Sequence, residues 1–74
     1  MNLREIAQIY VDLVKTEQQI PEEEYRAKEE INALRTKYHE ILMDKMREEK
    51  IDFFDRFDAT NKAFEIVHKQ EAQS

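Results

Sequence analysis

The sequence predicts an all-α protein: an antiparallel helical hairpin with a third helix, self-associating into a helical bundle. Three observations carry this reading. Glycine is absent and proline occurs once, whereas sheets and tight hairpins draw on glycine at positive φ. Apolar residues recur at spacings of three and four through much of the chain, which is the helical period. The hydrophobic share is 41% and the charged share 39%, too apolar for a disordered tail and typical of helices with one wet face.

The first helix is expected over residues 3–19. Asn2 is placed to cap it, with Glu5 three residues on in the manner of a capping box. Leu3, Ile6, Ala7, Ile9, Tyr10, Val11, Leu13 and Val14 project onto an arc of roughly 200° at 100° per residue. One neighbouring helix cannot cover so wide an arc, so contact with at least two is expected.

Pro21 is expected to end this helix and open the second, where its missing N–H costs nothing. Glu22, Glu23 and Glu24 then lie where the helix dipole favours negative charge. The second helix is expected over residues 21–49, with Ala27, Ile31, Leu34, Tyr38, Ile41, Leu42 and Met46 as its apolar stripe. It is longer than the first, which cannot cover all of it.

A third helix is expected over residues 52–70, capped by Asp52. Phe53, Phe57, Thr60, Phe64 and Val67 form a heptad-like seam along it. If the Phe57 or Phe64 ring is fully buried, its replacement by Ala costs about 3–5 kcal/mol. No glycine or proline separates this helix from the second, so a continuous helix stays open at this level. Residues 1–70 make one domain, and 71–74 are expected to fray.

The expected core or interface residues are Leu3, Ile6, Tyr10, Leu13, Ile31, Leu34, Tyr38, Phe53, Phe57, Phe64 and Val67. In a chain of 74 residues the core is modest, and burial against a second copy or another protein adds to it. Surplus apolar arc on the first helix, with Tyr25, Met43 and Phe54 off the principal stripes, points the same way.

Charge and composition exclude several functions. The net charge is −5, with no basic block, so direct nucleic-acid binding is not expected. Cysteine is absent, which removes disulfides and thiolate chemistry and suits a reducing, cytoplasmic setting. No basic stretch followed by an apolar run opens the chain, and none of its apolar runs suits a bilayer. Phosphate-cradling glycine loops are impossible. The one serine, Ser74, is terminal, so a catalytic triad is not expected.

Two spacings invite metal chemistry. Glu65 and His68 are three apart, the helical pair that di-iron carboxylate bundles use, but those sites need two such pairs and two further glutamates. Glu49 and Asp52 have the spacing that helical nucleoside-triphosphate pyrophosphohydrolases use for magnesium, but no Glu-x-x-Glu precedes them among residues 22–30. Both pairs read more simply as solvated helix faces, so neither a metal nor a cofactor is expected.

The expected function is therefore non-enzymatic: a small interaction or regulatory protein that acts through apolar helix faces on itself and on another protein. Two alternatives follow from the same residues. One is a nucleic-acid-associated regulator, or an acidic mimic of nucleic acid that occupies a basic partner. The other is a metal-dependent helical-bundle enzyme.

Overall fold

The computed structural model describes residues 1–73, with side chains through Lys69. It contains three helices, α1 (Leu3–Gln19), α2 (Tyr25–Glu48) and α3 (Arg56–Gln73), and no strand among the described residues. The expectation that 71–74 fray falls on the end of α3 and on Ser74, and Ser74 lies outside the described residues.

α1 begins as the sequence indicates. The Asn2 side chain accepts a hydrogen bond from the Glu5 amide at 2.8 Å, satisfying one of the amides that a helix start leaves open. The side chain of Glu5 makes no return bond among the described residues.

α2 starts four residues later than Pro21. Residues 21–24 form a turn closed by the Glu24 amide on the Pro21 carbonyl at 3.0 Å. The physical reason is the reversal of the chain. A helix starting at Pro21 leaves Ile20 alone to turn the backbone, fewer residues than such connections need. The hairpin is antiparallel. Glu17 pairs with Arg35 and Tyr10 stacks beside His39, so numbering falls along α1 as it rises along α2.

α2 and α3 are separate helices. Ile51 donates to the Met46 carbonyl at 2.8 Å and Lys50 to Arg47 at 3.1 Å, the Schellman pattern of a helix end. Lys50 takes the left-handed position at φ 60°, where glycine is usual and a Cβ costs about 1–2 kcal/mol. No glycine or proline marks this break, which overlaps the gap expected between residues 49 and 52.

The third helix starts at Arg56 rather than beside Asp52. Ile51 and Phe53 are drawn in non-helical chain onto the core, which delays the helix. Asp55 then caps it, accepting from the Asp58 amide at 2.9 Å, while Asp58 accepts from the Phe54 amide at 2.7 Å. This is a near-reciprocal cap.

α1 lies against both other helices, and α2 and α3 meet much less. Buried on α1 are Leu3, Ile6, Ala7, Tyr10 and Val11; on α2, Leu42, Met43 and Met46; on α3, Ala59, Ala63 and Val67. The inner face of α3 is thus alanine-rich. It is rotated by about 80° from the aromatic seam, at 100° per residue. Small side chains allow α3 close to α1, and the bulky rings take the flanks: Phe64 half-buried, Phe57 in water.

Candidate interaction surface

The first turns of α3 leave a cleft of about 460 Å³ against α1 and α2, bordered by Tyr10, Val14, Arg35, His39, Arg56, Phe57 and Thr60. Each helix supplies part of it. The lower end of α1 offers Tyr10 and Val14, the middle of α2 offers Arg35 and His39, and the start of α3 closes the third side.

Polar groups in this cleft are bonded to one another. Thr60 Oγ1 donates to the Arg56 carbonyl at 3.1 Å. The Tyr10 hydroxyl is therefore the donor in its 2.9 Å contact with Thr60. His39 Nε2 lies 3.2 Å from that same carbonyl. A carbonyl only accepts, so Nε2 carries a hydrogen. The Tyr10 and His39 rings lie 4.9 Å apart at 40°, a tilted pair. Arg35 Nε bonds Glu17 at 2.6 Å, and that bond, with Tyr10 adding to it, holds the guanidinium protonated even more firmly than usual. Arg56 reaches Glu40 at 2.6 Å.

His39 is 6% exposed. Burial pushes its pKa below the ordinary 6.5; the Arg56 carbonyl opposes this, and the Arg56 and Arg35 charges add to the lowering. The folded chain thus takes up a proton less readily than the unfolded chain. Stability is full above pH 6.5, the ordinary value given for this imidazole, and falls as acid protonates the unfolded imidazole first. Urea titrations above and below that pH should show the loss, and His39→Gln should shrink it. An unchanged pH dependence in His39→Gln would contradict the assignment.

At the cleft rim Phe57 is 82% exposed, and Phe54, three residues earlier in the chain, is 92% exposed. Asp52 and Asp55, both exposed, flank these rings in sequence, and half-buried Asp58 follows. The Phe54 amide and then Lys62 hold the Asp58 carboxyl below its usual range, so it stays ionised near neutrality. Phe53 differs from its neighbours: it packs on the core with the Arg47 guanidinium 5.3 Å from its ring centre.

The expected core or interface residues divide. Leu3, Ile6, Tyr10 and Val67 are buried together, and Tyr38, Phe53 and Phe64 pack partly against them. Leu13 and Ile31 are half-buried outside that set. Leu34, at 45% exposed, and Phe57 lie outside the core of the single chain, because α1 and α3 cover neither. The condition for a 3–5 kcal/mol loss at Phe57 is absent. Thr60 was placed in the seam of the third helix, whereas neither His39 nor Arg35 was expected at the core or interface. His39 had a signal: it precedes the buried Leu42 and Met43 at spacings of three and four, on the same helical face.

Glu65 and His68 are exposed, and Glu49 pairs with Lys45 at 3.8 Å. Among the described residues no three His, Asp or Glu side chains converge as metal ligands. No described helix is long and apolar enough to cross a membrane. No family model, curated protein or solved structure matches the chain.

Proposed function

We propose that this chain is a non-enzymatic interaction protein that docks onto another protein through Phe54, Phe57 and the adjoining cleft. The observation that carries this reading is the exposure of two phenyl rings three residues apart in the chain, at 92% and 82%, the second lining a cleft with apolar and hydrogen-bonded walls. Sealing each ring in a partner's pocket contributes about 1.5–3 kcal/mol. Asp52 and Asp55, exposed and close to the rings in sequence, suit a partner whose pocket has a Lys- or Arg-rich rim. Binding rather than catalysis is favoured because the hydroxyls of Tyr10 and Thr60 and both cleft arginines already have partners. The same pairing leaves no cation in the cleft uncommitted to hold a phosphate backbone.

The test compares the wild-type chain with the double variant Phe54→Ser, Phe57→Ser as bait in extracts of the source cell. Stability should change by less than about 0.5 kcal/mol per site, since both rings are exposed. A protein retained by the wild type and lost by the equally folded variant supports the reading. Identical capture by both contradicts it.

A further inference from the structure

The flank of α2 that turns away from α3 carries a second apolar surface. Ala27, Ile31, Leu34, Tyr38 and Ile41 recur at spacings of four, three, four and three, the pattern of a coiled-coil seam. Leu34 is exposed, Ala27 and Ile31 are half-buried, and Tyr38 and Ile41 are half-buried and packed in part against the core. The α2–α3 loop lies elsewhere, because Phe53 meets Arg47 and Arg56 meets Glu40 on the opposite flank. Ile31 is neither in the core nor packed against it, and the same holds for Ile9 and Leu13 on α1.

We propose that a second copy of this chain covers this surface, with the two α2 helices antiparallel about a two-fold axis near Leu34. Two features select that occupant and register. The first is charge. Glu30 and Lys37 border the outer edge of the seam, both exposed, and neither forms an ion pair within the chain among the described residues. In the antiparallel register Glu30 of each copy faces Lys37 of the other, so both charges find a mate twice over. On the inner edge the same register sets Lys28 opposite Arg35 of the second copy, and each of these cations is already matched within its own chain, Lys28 by Glu22 and Arg35 by Glu17. A parallel register instead sets Lys37 opposite Leu42, which is fully buried.

The second feature is size. In this register Ala27 faces the second copy's Tyr38 and Ile31 faces its Leu34. The smallest side chain meets the largest, and two medium ones meet at the axis, so the layers fill without voids. This surface is separate from the cleft that Phe57 lines, and contains neither Phe54 nor Phe57.

Sedimentation equilibrium on the full chain, from micromolar to millimolar concentration, tests it. A reversible dimer is expected. Leu34→Asp should abolish it with unchanged helical circular dichroism. Glu30→Lys and Lys37→Glu, each alone, replace attraction with repulsion and should weaken the dimer by about tenfold. Mixing the two single variants should restore wild-type affinity, since their charges are then complementary. The double variant Phe54→Ser, Phe57→Ser should leave the dimer intact. A monomer throughout the range overturns the proposal. So does a dimer indifferent to Leu34→Asp, a mixture no tighter than its components, or a dimer lost with the two phenylalanines.

Discussion

Tyr10→Ala is expected to destabilise the chain by about 3–5 kcal/mol, the cost of truncating a buried aromatic. Tyr10 is 1% exposed and touches every layer of the structure. It belongs to α1, its ring lies against His39 of α2, and its hydroxyl bonds Thr60 of α3. At 0.05–0.15 kcal/mol per residue, the whole chain holds about 4–11 kcal/mol, so this one change takes a large share. Tyr10→Phe keeps the ring and removes the hydroxyl, and should cost about 0.5–1.5 kcal/mol. Urea unfolding of the three proteins, followed by circular dichroism, reads both values. Equal losses for Ala and Phe would show that the ring contributes little packing, contrary to this structure.

Ala63→Leu is the second large effect, at about 1–3 kcal/mol of destabilisation. Ala63 is fully buried on α3. Three extra heavy atoms there push α3 away from α1 or force strained rotamers. The opposite outcome is expected at Phe57, where replacement by Leu should change stability by less than about 0.5 kcal/mol. The pair is diagnostic because the aromatic seam read from the sequence demands the reverse ranking. Melting temperatures of the two variants decide it.

That reversal shows how far the sequence could be read. The bounds and packing of α1 were legible because Asn2 caps it and its apolar and polar residues separate cleanly, so its burial against two helices followed from the width of the apolar arc, although Glu5 makes no return bond to the cap among the described residues and Leu13 lies outside the core. α3 was legible as a helix but not in its facing. Its rings outweighed its alanines in the periodicity, although a close helix–helix contact favours the smaller residue. The start of α2 was ambiguous because proline suits a turn as well as a first helical turn. The end of α2 was expected at 49 and lies at Glu48, but a continuous helix stayed open because Lys50 occupies a position that glycine usually marks. Asp55 and Asp58 did signal the start of α3, and Asp52 nearby obscured them.

The cleft was less legible than the helices. It joins residues from three helices, and which ones meet depends on how α3 sits against the hairpin. Tyr10 was readable as core, but its contacts with His39 and Thr60 were not. The exposure of Phe57 depended on the same facing of α3. Leu34 was readable as part of a stripe. Its exposure arises because α1 and α3 both approach α2 from other sides.

α3 turns its alanines inward and its Phe57 outward. Nuclear Overhauser contacts in a methyl- and aromatic-labelled sample read this facing. Contacts are expected from the Ala59 and Ala63 methyls to core methyls of α1, with the Phe57 ring showing none to that core and open to a soluble paramagnetic quencher. Phe57 contacts to Val11 and Ala7, with the alanine methyls exposed to the quencher, would contradict it.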